Sequence, residues 1–330
     1  SIGSAWHPDG KRVVMLSDLG DRYGLYLLES GESTKKLLTN EKFDVTGPPA
    51  VNSASGQIFF QSNEPSPYER HVFRIPVKGG EAIRISTLAG QHRPYPSPDG
   101  STVAILHSSD LSPTELYLVD TDGGSPERKI THSTPAEFGN RTWARARYVT
   151  FPSRMDEHTL HARVLEPIDL DRGKRYPVVF GPVYSNTVRN RWSARSALLH
   201  QLLVERGYIV VQVDVRGSTG YGRDFREDFL MDFGGKDIED LHSAVEYMAK
   251  LPYVDPNRVG IWGSSYGGTL TIYSLLKKPG LFKAGVACAA AVDPHFFGTD
   301  DVAIVRRPQS HPDAFARGAL QYSGNLQDHL

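Results

Sequence analysis

At 330 residues the chain is about twice the length of an ordinary domain, so two domains are expected. Its 39% hydrophobic and 23% charged residues are those of a folded globular protein, and no run approaches the roughly 20 apolar residues of a membrane-spanning helix. With 37 basic against 38 acidic residues the formal net charge is -1, which gives no electrostatic basis for binding nucleic acid or an anionic membrane surface.

The first 140 residues repeat themselves. Turns ending in Gly10, Gly56 and Gly100 recur 46 and then 44 residues apart, as His7-Pro8-Asp9-Gly10, Ser53-Ala54-Ser55-Gly56 and Ser97-Pro98-Asp99-Gly100. Each leads into an apolar strand (Val13 to Leu16, Ile58 to Phe60, Val103 to Leu106) and then a partner strand (Leu25 to Leu28, Val72 to Ile75, Leu116 to Val119). Asp-Gly and Ser-Gly suit tight hairpin turns, and turn, strand and partner recurring at one period of about 45 residues predict β-propeller blades. Closed propellers have typically four to eight blades, so three imply a chain truncated at its N-terminus. Ser1 is not followed by the charged start and apolar stretch of a signal peptide.

Near Trp143 the pattern changes to alternating strands and helices, which predicts an α/β domain with a mainly parallel sheet over residues 141–330, behind the partial propeller of 1–140. Strands are expected at 176–180, 208–214 and 258–262, and helices at 196–206, 237–250 and 269–278. Ile238, Leu241, Val245 and Met248 fall at helical spacing, with acids early and a lysine last, as the helix dipole prefers. The one cysteine, Cys288, lies in the apolar run 284–289 and is expected to be buried as a small hydrophobe.

Gly263-Ser264-Ser265-Tyr266-Gly267-Gly268 sits where the strand at 258–262 turns into the following helix, which is the setting of a nucleophile elbow. On so sharp a turn the residues two before and two after the nucleophile must lack side chains. Gly263 and Gly267 meet this around Ser265, whereas centring on Ser264 would put Trp262 and Tyr266 there. Ser265 is therefore the candidate nucleophile, with the Tyr266 backbone N–H aimed at a developing oxyanion and the helix N-terminus adding a favourable dipole. No phosphate-binding glycine loop, zinc-ligand spacing or cysteine pair occurs, so neither a cofactor nor a metal is expected. Gly217 to Gly222 lacks the glycine spacing of a nucleotide fingerprint and is expected to be a surface turn.

The blades, the Gly-x-Ser-Tyr-Gly-Gly elbow, Asp214-Val215-Arg216-Gly217-Ser218 and Tyr253-Val254-Asp255-Pro256-Asn257-Arg258-Val259 together resemble the prolyl oligopeptidase family of serine peptidases from end to end of the chain. The dipeptidyl peptidase IV and acylaminoacyl peptidase branches are the nearest in pattern. In these branches the residue before the nucleophile is often Trp, where this chain has Ser264. The resemblance implies a β-propeller followed by an α/β-hydrolase domain that cleaves short peptides through an acyl-enzyme. It also implies a second oxyanion donor, for which Tyr184 is the matching tyrosine, and a pocket contribution from 292–301, where Phe296 and Phe297 would line the substrate. Arg216 is expected to order a loop through a carboxylate and not to act in catalysis.

A serine of this kind needs a histidine oriented by an acid, and in this fold both follow the nucleophile in the chain. Only 65 residues follow Ser265, fewer than the two further strands demand, so the chain is expected to stop before a complete triad. His295, His311 and His329 with nearby aspartates offer at best a compressed one. Two other readings stand beside the peptidase: an esterase or amidase on the same fold, and a binding module whose propeller recognises a partner while the hydrolase domain is inactive. Scissile-bond preference, exo- or endo-cleavage and compartment (cytoplasmic, or periplasmic and secreted) are left open, and a homodimer is one assembly that the sequence permits.

Overall fold

The computed structural model describes residues 3–29, 35–122, 124–194, 196–230 and 232–292. The chain forms two compact units, one from Ser1–Trp143 with Arg189–Ala194 and Gly220–Arg223, the other from Ala144–Val188, Arg195–Thr219 and Asp224–Leu330.

The first unit carries three four-stranded antiparallel sheets, each a meander in sequence order. They are β1 (Gly3–Trp6), β2 (Arg12–Ser17), β3 (Gly24–Glu29) and β4 (Lys35–Leu37); β5 (Ala50–Asn52), β6 (Gln57–Ser62), β7 (His71–Pro76) and β8 (Ile83–Arg84); and β9 (Gln91–Pro96), β10 (Thr102–Ser109), β11 (Ser112–Asp120) and β12 (Arg128–Lys129). The three repeated turns join the first two strands of each sheet. Their glycines adopt the left-handed backbone, with φ of 67° at Gly10, 65° at Gly56 and 72° at Gly100, which a side chain would disfavour. Asp99 caps its turn by accepting from the Ser101 N–H and the Ser97 and Ser101 hydroxyls, which hold its carboxyl down at about 2.

The unbroken apolar run of β6 follows from burial on both faces. Side chains alternate across a strand. Accordingly Ile58 and Phe60 join Val14, Leu16 and Leu25 of the first sheet, while Phe59 joins Val103, Ile105 and Val119 of the third. The middle sheet is thus packed on both sides, with Phe73 and Ile75 of β7 turned one way and Val72 the other.

After the short helix α1 (Ala136–Gly139), the second unit is built on β13 (Ala146–Pro152), β14 (Thr159–Leu165), β15 (Tyr176–Phe180), α2 (Ala197–Glu205), β16 (Ile209–Asp214), α3 (Arg223–Glu227) from its second residue on, α4 (Lys236–Ala249), β17 (Val254–Ser264), α5 (Tyr266–Lys277) and β18 (Ala284–Cys288). Its six-stranded sheet runs β13-β14-β16-β15-β17-β18, with the first two pairings antiparallel and the last three parallel. All six residues of β16 are buried, as a central strand requires. Ala146 packs with Leu165, Val204 and Val210 beneath α2. Phe151, five residues further along β13 and so on its other face, stacks on Tyr247 of α4 at 4.8 Å. Helices therefore cover both faces, and none among the described residues is long and apolar enough to cross a membrane.

Three expectations need correction. The strand leading to the elbow begins at Val254, because Val254 already pairs with Tyr176 before an irregularity in the register. The helix after it begins at Tyr266, so the two glycines read as a turn are in its first turn. Cys288 is exposed, as are all five residues of β18, the outermost strand of the described sheet.

Phe59→Ala should cost the first unit about 3–5 kcal/mol in denaturant unfolding, since it empties a site with no solvent exposure between two sheets. A loss below about 1 kcal/mol would contradict the two-sided packing of the middle sheet.

Candidate active site

Ser265 lies between the end of β17 and the start of α5 with φ 57° and ψ -124°, a conformation that costs a non-glycine residue on the order of 1–3 kcal/mol. It persists because its surroundings fix it. The Ser265 N–H donates to the Cys288 carbonyl at 2.9 Å, and its own carbonyl accepts the Thr269 N–H at 3.0 Å, opening the helix. The Thr269 hydroxyl exchanges hydrogen bonds with the Ala291 backbone, clasping 288–291 to the first turn of α5.

The glycines are required by contact. A methyl group on Gly263 would lie 2.4 Å from the Gly267 carbonyl oxygen, and one on Gly267 would lie 2.0 Å from the Val183 carbonyl oxygen. Gly268 is closed off in the same way, with the Cys288 carbonyl 2.6 Å from a added methyl position. Ser264 and Ser265 are both exposed, whereas the Tyr266 side chain is buried.

Tyr184 is brought to the same place. The loop after β15 docks on β17 through the Val183 N–H, which donates to the Trp262 carbonyl at 2.9 Å. The Tyr184 ring then meets the Tyr266 ring edge to face at 5.3 Å, and its Cδ2 lies 3.4 Å from where a methyl group on Gly267 would sit. Ser265, Tyr266 and Tyr184 thus form one group. Phe296 and Phe297 lie outside the described residues, as do His295, His311 and His329.

The Asp214 to Ser218 segment holds this loop in place. The buried Asp214 carboxylate accepts the N–H groups of Thr187 at 2.5 Å and Val188 at 2.9 Å. The Ser218 hydroxyl accepts the Asn186 N–H at 3.1 Å, and the Asn186 side chain in turn accepts from the Thr219 N–H and hydroxyl. Ser218 has no solvent exposure, so the surface turn expected here is an interior brace at that residue. Its hydroxyl is satisfied internally, donating to the Val215 carbonyl.

Arg216, also with no exposure, does pair with carboxylates, and with three of them. Its guanidinium grips Asp156 in two-pronged fashion at 2.7 and 2.9 Å, bonds Asp228, and donates through Nε to Asp240 at 3.3 Å. The Arg216 N–H adds a bond to Asp240 at 2.8 Å. Arg216 hydrogen bonding holds Asp156 well below the usual carboxylate range, while burial pushes Asp240 up to about 7 against the pull of Arg216. Asp156, His158 and Asp228 converge closely enough to suggest a cation site, but the Arg216 guanidinium supplies the positive charge to both carboxylates.

One contact left no sequence signal. The Tyr266 hydroxyl donates to Asp237 of α4 at 2.6 Å, and Asp237 also accepts the Gly234 and Ile238 N–H groups. Burial raises the Asp237 carboxyl to about 6, and burial together with this carboxylate raises the Tyr266 hydroxyl further above its ordinary value.

The folded Asp237 value of about 6 exceeds the ordinary 3.8, so the unfolded chain ionises first as pH rises. Its contribution to stability is therefore complete below about pH 4 and is lost as pH rises through 6, to a total of about 3 kcal/mol. Asp237→Asn, which does not titrate, should gain on the wild type by about that amount between about pH 4 and about pH 8 in paired denaturation curves. A difference that stays constant across this range would contradict the perturbed carboxyl.

Comparison with known proteins accords with this geometry. The prolyl oligopeptidase family profile matches residues 194–318, and that of the dipeptidyl peptidase IV N-terminal region matches residues 2–121. The chain is 30% identical over 274 residues to dipeptidyl-peptidase 5 of Porphyromonas gingivalis, covering 79% of this chain and 38% of that protein. It is 27% identical over 335 residues to a probable dipeptidyl-aminopeptidase B of Talaromyces marneffei, covering 98% and 36%. The chain thus spans little more than a third of the length of these relatives. Among solved structures, dipeptidyl peptidase 4 of Porphyromonas gingivalis superposes with a TM-score of 0.80 at 28% identity, over 94% of this chain and 44% of that one. Residue motifs, family profiles and structural likeness agree: the chain belongs to the prolyl oligopeptidase family.

Proposed function

We propose that this protein is a serine peptidase that hydrolyses short peptides, of dipeptidyl or oligopeptidase type, through an acyl-enzyme on Ser265. The observation that carries the proposal is the left-handed Ser265 at a strand-to-helix turn, flanked by two glycines whose backbones touch their neighbours. That arrangement lifts the Ser265 hydroxyl clear of the sheet, where a substrate carbonyl can reach it. The names of the relatives, dipeptidyl peptidases and dipeptidyl-aminopeptidases, support the substrate class.

On this reading the first unit is a partial β-propeller of about three blades over 1–140, and the second is an α/β-hydrolase domain over 141–330. Ser265 Oγ attacks the scissile carbonyl carbon while its proton passes to a general base. The oxyanion is met by the Tyr266 N–H and the Tyr184 hydroxyl. Collapse breaks the C–N bond as the base returns its proton to the leaving amine, and water then hydrolyses the ester. The base and the acid that orients it follow the serine in this fold, and the described residues end at Val292. Phe296 and Phe297 would line the pocket for the residue before the scissile bond.

Hydrolysis of a panel of dipeptidyl p-nitroanilides, set beside simple p-nitrophenyl acyl esters, tests the proposal in the full-length gene product. Peptide cleavage should exceed ester cleavage in kcat/KM and should fall by at least about a thousandfold in Ser265→Ala. Ester cleavage alone would move the protein to the esterases. Peptide cleavage unchanged by Ser265→Ala would refute the assignment of the nucleophile.

A further inference from the structure

The Tyr266 residue divides its parts between two environments. Its backbone N–H opens α5 beside Ser265, while its side chain turns into the interior and is fastened there on three sides. Phe233 packs on the ring at 4.6 Å, Tyr184 meets it edge to face at 5.3 Å, and Asp237 accepts its hydroxyl proton at 2.6 Å. Of these three, only the bond to Asp237 is directional enough to fix the ring along its own axis.

Asp237 is costly for a merely structural role. It is the second residue of α4 with no solvent exposure, and a buried carboxylate is stabilising only when its oxygens are fully partnered. Phe at 266 facing an apolar residue at 237 would fill the same space without that cost. The position of Asp237 explains what the acid adds. Asp240, one helical turn further along α4, is tied to Arg216, and Arg216 is tied to Ser153 and Asp156 beyond β13. The helix that presents Asp237 is therefore itself clamped, and Asp237 passes that fixed position on to the Tyr266 ring. Asp232 in the preceding loop and Asp240 on the same helix both repel a negative charge on Asp237. The hydroxyl and amide donors of Tyr266, Gly234 and Ile238 carry the compensation.

We infer that Asp237 is a positioning residue: through the Tyr266 hydroxyl its carboxylate fixes the first turn of α5, and with it the Tyr266 backbone N–H and the Tyr184 side chain whose hydroxyl would meet the oxyanion. The inference rests on the serine peptidase reading above. An oxyanion donor acts only if it is in place before charge develops, so a ring free to slide loosens the transition state more than substrate binding.

The test compares wild type, Asp237→Ala, Asp237→Asn, Tyr266→Phe and the double variant Asp237→Ala with Tyr266→Phe, in the full-length gene product. Two quantities are measured: kcat and KM on the best dipeptidyl p-nitroanilide, and the inactivation rate by a fluorophosphonate, whose tetrahedral adduct also draws on the oxyanion site. Asp237→Ala and Tyr266→Phe should each lower kcat and the inactivation rate on the order of 10–100-fold with KM within about threefold. The double variant should fall no further than the worse single, within about twofold, because both remove the same bond. Asp237→Asn keeps an acceptor and should retain activity within about threefold of wild type. Full kcat in Tyr266→Phe, or losses that multiply in the double variant, would overturn the inference. If Asp237→Ala does not fold, Tyr266→Phe and Asp237→Asn decide the matter by the same criteria. A wild type that neither cleaves peptide nor reacts with the fluorophosphonate overturns the peptidase reading and this inference with it. A reactive wild type with an equally reactive Tyr266→Phe overturns the inference alone.

Discussion

At Ser265 the chain reverses from β17 into α5 with φ 57° and ψ -124°, and much of the second unit can be understood as what that turn demands. The backbone is held by the Cys288 carbonyl on one side and the start of α5 on the other. It approaches Val183 and its own Gly267 so closely that no Cβ fits at 263 or 267. The same approach brings Tyr184 against the elbow. A strained residue survives only where its neighbours leave no alternative, and here those neighbours are the ends of three adjacent strands, β15, β17 and β18.

A second layer keeps those neighbours in position. Asp214 and Ser218 brace the loop that carries Tyr184, and Arg216 between them gathers Asp156, Asp228 and Asp240. A fully buried guanidinium is tolerated because its donors are met by three carboxylates and a hydroxyl, and the charges are shared with Lys236, which also binds Asp228. From Asp240 the chain of contacts continues along α4 to Asp237 and Tyr266. One short segment, Asp214 to Ser218, therefore organises both sides of the group around Ser265 without contributing a reacting atom.

How legible this was depends on the range of each interaction. The elbow could be read because its constraint is local: two glycines at fixed offsets around one serine express a steric rule in five residues. The three turn glycines were legible for the same reason, and their left-handed φ angles agree with it. The start of α5 was misplaced because glycine pairs usually break helices, whereas here they are kept inside one by the close approach of Val183 and Cys288. The apolar run 284–289 points to burial of Cys288, and nothing within that run announces that it forms the outermost strand of the described sheet. The carboxylate partners of Arg216 come from positions 156, 228 and 240, and the bond from Tyr266 to Asp237 spans 29 residues. No periodicity announces such contacts, because they arise only when the sheet brings distant segments together.

The elbow geometry requires that Ser265, and not the adjacent Ser264, is the residue that reacts. Mass-spectrometric mapping of the fluorophosphonate adduct in the full-length gene product tests it most directly, with Ser264→Ala and Ser265→Ala as companions. A single adduct on Ser265 is expected, retained in Ser264→Ala and absent from Ser265→Ala. An adduct on Ser264, or no adduct on a folded wild-type protein, would contradict it.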